Sequence, residues 1–172
     1  EGSPTTITAY LSVAPKAAGL ALLIRFFNQV FGDGSAMSSE FWLAVNDIPW
    51  PQLLAVLSAA TMTVGNLVAI QQNSVKRMLA YSSIAHAGYM MMALPLMSQS
   101  GVYGIMMYAF VYLFMNLGAF FVLIYVQNEF GGETFDDFDN LGWRMPFVGA
   151  VMTLFMVALT GLPPTAGFIG KF

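Results

Sequence analysis

LTGLPPTAGFIGKF, residues 159–172, sets two adjacent prolines and then a lysine inside an otherwise apolar run. Two structures suit such a run: a hairpin within a greasy soluble domain, or a membrane helix interrupted at its middle. Composition decides between them. Of 172 residues 58% are hydrophobic and only 9% are charged, with a mean hydropathy of +0.69, whereas soluble domains carry charge on about a quarter of their residues. So few charges cannot cover a soluble surface. Apolar runs of the roughly 20 residues that span about 30 Å of hydrocarbon recur along the chain. The expected fold is all-α, a polytopic transmembrane helix bundle.

About five membrane segments follow from apolar length and turn punctuation. They lie at approximately 5–30, 50–71, 76–97, 101–127 and 147–172, forming one transmembrane domain over 1–172. The first connection, FGDGSAMSSEFWLAVNDIP, holds Asp33, Glu40 and Asp47 but no Lys or Arg. QQNSVKR carries Lys76 and Arg77, LMSQSG is uncharged, and QNEFGGETFDDFDNLGWRMP is acidic with Arg144 near its end. The loop cations thus share one side, which the positive-inside rule makes cytoplasmic. Residues 72–77 and 128–145 are expected there and 32–49 on the opposite side. Trp42, Trp50 and Trp143 fall near segment ends, where amphipathic rings favour the interface.

Several functions are excluded by what the sequence lacks. With no Cys and one His, the chain holds no disulfide, thiolate metal site, iron–sulfur cluster or multi-histidine haem. Nothing forms a basic patch, so no nucleic-acid partner is expected. Glu1 in place of an initiator Met, and Phe172 inside an apolar segment, read as cut ends of a longer membrane protein. EGSPTT reads as a loop leading into a helix rather than a targeting peptide.

The informative residues are polar groups at membrane depth. Lys16 sits deep in its segment, with Thr8 and Ser12 at successive steps of four on the same helix face. An intramembrane charge costs at least about 2.5–3.5 kcal/mol on insertion scales and marks a functional candidate; the competing reading is a lysine that snorkels to the headgroups. Pro15 frees a carbonyl one turn earlier for water or a neighbour, and a structural kink explains it equally. His86, with Ser82 one turn before and Tyr89 and Met90 after, is either a proton-passing imidazole or a buried interhelix hydrogen-bonding group. Tyr108, Tyr112 and Asn116 stand four apart and read first as interhelix glue. Ser58, Thr61, Gly65 and Asn66 read as close-packing positions, and Met90 to Met92 as ordinary apolar surface. Glu133, Asp136, Asp137 and Asp139 form a solvated or partner-facing loop, not a paired-carboxylate active site. In the opening stretch, Pro163 and Pro164 forbid continuous helical bonding, and Gly161 and Gly167 add backbone freedom beside them. A break is expected over Leu162–Thr165. Unwound backbone at membrane depth is tolerated only inside protein or beside a wet cavity, and Lys171 lies just beyond it.

The stretches EGSPTTITAYLSVAPKAAGLALLIRF, NSVKRMLAYSSIAHAGY and FMVALTGLPPTAGFIGKF resemble the antiporter-like membrane subunits of respiratory complex I. SVAPKAAG makes subunit N, called subunit 2 in organelles, the nearest of them. The resemblance covers nearly the whole chain and implies the family's eighth helix to the middle of its twelfth. It implies a non-redox membrane subunit of a proton-translocating NADH-quinone oxidoreductase, driven by quinone reduction elsewhere in the complex. Lys16 resembles the family's central connecting lysine, His86 the polar residue bridging two half-channels, and Lys171 the proton carrier of the broken helix. No cofactor is implied in this chain; quinone, NADH, FMN and iron–sulfur clusters are implied in partner subunits. The implied partners are the other membrane subunits and the lipid bilayer, in a bacterial inner (plasma) membrane ahead of an organellar one. Independently of the resemblance, a lysine taken out of water can exchange protons near neutral pH. Two rival classes share these features: a subunit of a multisubunit cation/proton antiporter, and a purely structural membrane subunit with idle lysines.

Overall fold

Helix boundaries follow the punctuation of the sequence closely where caps are strong. The computed structural model describes residues 3–30, 49–96 and 98–171. Residues 31–48, which hold Trp42 and nearly all of the first connection, and also Glu1, Gly2, Met97 and Phe172, lie outside them. In chain order the helices are α1 (Thr5–Val30), α2 (Trp50–Ile70), α3 (Val75–Met91), α4 (Gln99–Phe130), α5 (Leu141–Arg144), α6 (Pro146–Thr160) and α7 (Ala166–Lys171). Ser74 caps α3 by accepting from the Arg77 N–H, and Ser98 caps α4 by accepting from the Gly101 N–H. Gly131, at φ 80°, closes α4 in the left-handed conformation that glycine adopts without strain.

Three of these helices, over Thr5–Phe27, Trp50–Ile70 and Gln99–Phe130, are long and apolar enough to cross a membrane. At 32 residues, α4 rises about 48 Å, beyond the hydrocarbon thickness. It therefore reaches past the segment read at 101–127 at both ends. The segment read at 76–97 stops being α-helical at Met91 and turns through a 3-10 element at Leu94–Leu96. Pro95 there lacks an N–H and biases Leu94 away from the helical region.

The bundle is built around α4, which packs against α1, α3, α6 and α7. Its Ala119, Phe120, Leu123 and Val126 have no exposed surface. α1 turns Thr5, Ala9, Ser12, Val13 and Leu20 inward, the spacing of one helical face. α2 and α3 are a close pair: a side chain on Gly65 would meet the Ala85 backbone at 2.7 Å, and one on Gly88 the Met62 backbone at 2.9 Å. The outward faces are apolar, with Leu22, Val56, Leu67, Phe110 and Phe121 exposed, as lipid requires and water would not tolerate. Trp143 is 91% exposed, but Trp50 is 5% exposed and stacks on Phe27 at 4.8 Å. The interface role expected of Trp50 gives way because the end of α1 supplies an aromatic partner.

Candidate functional site

Ser83, His86 and Tyr89 form a row along α3, spaced so that each lies nearly one turn from the next. Lysines from two other helices meet the two ends of this row.

At one end, the Lys16 ammonium donates to Ser83 Oγ, which itself donates to the Ala80 carbonyl at 2.5 Å. α1 runs through Pro15 as one helix. One turn before Lys16, buried Ser12 receives the Asn116 side-chain N–H at 2.5 Å and donates to the Ala9 carbonyl at 2.6 Å. Asn116 is completely buried. Ser12 and Lys16 thus pack onto α4 and α3 rather than reaching for headgroups, whereas Thr8 bonds to Ser3 and the Pro4 carbonyl.

In the middle, His86 is 6% exposed, and its Nδ1 lies 2.6 Å from the Tyr108 hydroxyl. The rings of Tyr112 and Tyr89 stand 5.1 and 6.1 Å from the imidazole. The stripe on α4 is therefore divided: Tyr108 serves His86, Tyr112 packs beside it, and Asn116 serves Ser12. Spacing alone groups these three residues but does not reveal their separate partners. Ser83 is the residue that reading the sequence missed, although its three-residue offset from His86 was a visible signal.

At the other end, the opening stretch resolves into a helix end with an unusual cap. α6 stops at Thr160, Gly161 takes φ 82°, and α7 begins at Ala166. An α-helix carbonyl bonds the N–H four residues on. For Leu159 and Thr160 those positions are Pro163 and Pro164, which have no N–H. Both orphaned carbonyls accept from Lys171 Nζ, at 3.1 and 3.0 Å. The ammonium also sits 4.8 Å from the centroid of the Tyr89 ring. A cation is favourable at a helix C-terminus, where carbonyl dipoles converge. A side chain on Gly161 would meet Lys171 Cδ at 3.0 Å, so its absence lets the lysine fold back over the break.

A cavity of about 290 Å³ touches Asn66, Ser82, His86, Tyr89, Thr160 and Lys171. It has room for several waters and the polar partners to hold them. Asn66, read as a packing residue, thus lines this cavity, while Ser58 makes a packing bond to the Gly88 carbonyl at 2.7 Å. Among the described residues no group of His, Cys, Asp and Glu is arranged to hold a metal ion.

The charged connections meet at the α3 N-terminal end. Lys76 Nζ lies 3.5 Å from Glu133 and donates to the Ser3 carbonyl at 2.9 Å. Val75 N–H donates to the Glu133 carbonyl at 2.9 Å, and Phe135 N–H to the Asn73 carbonyl at 3.3 Å. Residues 73–76 and 133–135 and the start of α1 therefore form one clasp. Within the acidic loop, Asp137 accepts from the Thr134 hydroxyl at 2.6 Å and the Thr134 N–H at 2.8 Å. These bonds, the hydroxyl's first, hold the Asp137 carboxyl below the usual carboxylate range.

The family model described as NADH:quinone oxidoreductase/Mrp antiporter, TM, matches residues 1–172. The chain belongs to this family. It is 58% identical to "NADH-quinone oxidoreductase subunit N 2" of Sorangium cellulosum (strain So ce56), over 100% of this chain and 33% of that protein. It is 48% identical to "NADH-quinone oxidoreductase subunit N" of Anaeromyxobacter sp. (strain Fw109-5), with the same coverage. The chain spans about a third of the length of these curated relatives. Among solved structures it resembles a chain of the membrane-bound sulfane sulfur reductase, an archaeal respiratory membrane complex. The TM-score is 0.83 at 28% identity, covering 98% of this chain and 32% of that one. The all-α, multi-pass membrane fold of this family is the fold described above.

Proposed function

We propose that this chain is part of a proton-translocating membrane subunit of the subunit N kind in a bacterial NADH-quinone oxidoreductase. In this reading it moves protons across the inner membrane while partner subunits carry NADH, FMN, iron–sulfur clusters and quinone. Lys16, His86 and Lys171 are the relay, and Pro163 and Pro164 make the helix break that serves it. The observation that carries the reading is the convergence of two intramembrane lysines on one row of α3 with a buried histidine between them. Relatives named as subunit N over the full chain favour the redox complex over a free-standing cation/proton antiporter.

The chemistry follows from the groups. Lys16 passes a proton through the Ser83 hydroxyl, which both donates and accepts. His86, near neutral pH, donates at one ring nitrogen and accepts at the other, with Tyr108 fixing its orientation. Water in the 290 Å³ cavity links the imidazole to Lys171. The clasp at Lys76 and Glu133 marks the cytoplasmic end under the positive-inside rule.

The test replaces each lysine by Met in the assembled complex and follows membrane acidification together with quinone reduction, with assembly checked separately. Lys16→Met and Lys171→Met should each lower pumping about a hundredfold or more, the scale of losing one positioned proton-transfer group. Wild-type pumping by both variants in fully assembled complex would leave only a structural role.

A further inference from the structure

Lys171 borders two cavities. The one of about 290 Å³ extends toward the α3 N-terminal end and reaches Ser82 and His86. The other, of about 430 Å³, extends toward the opposite end of the bundle and is lined by Met92, Leu96, Gly104 and Tyr108. Tyr89 and Lys171 are the two residues that line both. The proton relay uses the lysine but assigns nothing to the tyrosine ring.

We propose that the Tyr89 ring is the partition between these cavities, and that its contact with Lys171 makes the lysine's position depend on whether it carries a proton. The inference rests on the reading of Lys171 as a proton carrier. A ring face attracts an ammonium through its quadrupole and has no such attraction for a neutral amine. The same holds for the Leu159 and Thr160 carbonyls, which bind an ammonium more strongly than an amine. The protonated lysine is therefore docked at the boundary, on the ring shared by both cavities at 4.8 Å and on the carbonyls of Leu159 and Thr160, which line the 290 Å³ cavity, at 3.1 and 3.0 Å. When the ammonium gives its proton to water in the 430 Å³ cavity, the neutral amine is released from the ring. The amine then takes a proton from water on the His86 side, where Leu159 and Thr160 also lie, and docks again. The apolar ring body meanwhile keeps the two water populations apart. Tyr89 acts through Lys171 and is a positioning residue; its hydroxyl is not required.

The experiment uses the whole complex in sealed membrane vesicles and measures protons moved per quinone reduced, together with passive proton conductance. Tyr89→Phe keeps the ring face and should match the wild-type ratio. Tyr89→Leu removes the face and opens the doorway. Its ratio should fall about fivefold, the population change expected from losing one ring–ammonium contact, while passive conductance rises and quinone reduction continues. Tyr89→Met, unbranched and closer in size, gives the same readout if the leucine variant fails to assemble. A wild-type ratio in either ring-free variant, or a phenylalanine variant as impaired as the leucine one, would overturn the proposal. Lys171→Met is measured alongside. Loss of pumping in that variant with normal coupling in Tyr89→Leu removes the partition alone, whereas normal pumping in both removes the carrier role of Lys171 as well.

Discussion

Two segments of this molecule carry a half-buried lysine near proline, and they solve the same problem differently. α1 passes Pro15 unbroken, and Lys16 is held by a side chain of another helix, Ser83. The α6–α7 segment is cut at Pro163 and Pro164, and Lys171 is held by main-chain carbonyls of its own segment. One proline removes one N–H, a loss a long helix absorbs. Two consecutive prolines remove two, leaving a pair of adjacent carbonyls aimed at the same space. The difference shows that the prolines at 163 and 164 do more than bend the chain. They create an acceptor site that a lysine eleven or twelve residues on can occupy.

The sharpest way to break this contrast is to make the second segment resemble the first. Replacing Pro163 and Pro164 together by Ala restores both missing N–H donors and lets α6 continue, so that Leu159 and Thr160 bond within the helix. Lys171 would then lose two charge-assisted bonds, each worth about 1.5–3 kcal/mol. Pumping by the assembled complex should collapse to the level of Lys171→Met. Pumping near wild type would mean that the carbonyl cap is dispensable.

The matching change on the α1 side is smaller because a single partner is removed. Ser83→Ala leaves the Lys16 amine without its hydroxyl acceptor, a loss of about 1.5–3 kcal/mol for a bond to a charged group. The pumping rate should fall about tenfold with Ser83→Ala and recover with Ser83→Thr, which restores the hydroxyl. An alanine variant as fast as wild type would remove Ser83 from the relay.

The least effect is expected in the acidic loop, far from both lysines. Because the Asp137 carboxyl is held below its unfolded value, its contribution to loop order is present above the ordinary carboxylate range near pH 4. It is lost as pH falls through the lower, folded value. Amide exchange at Thr134 should therefore stay slow at neutral pH and quicken only below about pH 4. Asp137→Asn should quicken it at neutral pH, leaving pumping unchanged; slow exchange in that variant would remove the carboxylate from the loop's order.

How much of this was legible in the sequence varies with the physics involved. Helices α1, α2 and α4 announce themselves because apolar length and cap residues such as Ser98 and Gly131 are local properties. The early end of α3 is signalled by Pro95, yet the apolar residues on either side of it, Leu94 and Leu96, mask the signal. Lys16, His86 and Lys171 stand out as titratable groups in apolar surroundings. Their partners do not, since the pairing of Lys16 with Ser83 or of His86 with Tyr108 depends on helices meeting far apart in sequence. One contact was accessible by counting: prolines at 163 and 164 free the carbonyls at 159 and 160, and a cation nearby is the natural occupant. Trp50 misleads for the same reason that Ser83 is missed, because its neighbour Phe27 belongs to another helix.

The central claim is that both lysines exchange protons rather than merely supply charge, and substitution by arginine separates the two. A guanidinium keeps the positive charge and the hydrogen-bonding donors but does not release its proton at any relevant pH. The measurement is protons moved per quinone reduced, in assembled complex carrying Lys16→Arg or Lys171→Arg. The account predicts that both variants assemble and pump as poorly as the corresponding Met variants. Arginine variants that pump at the wild-type ratio would contradict it, because fixed positive charge at the two positions would then be sufficient.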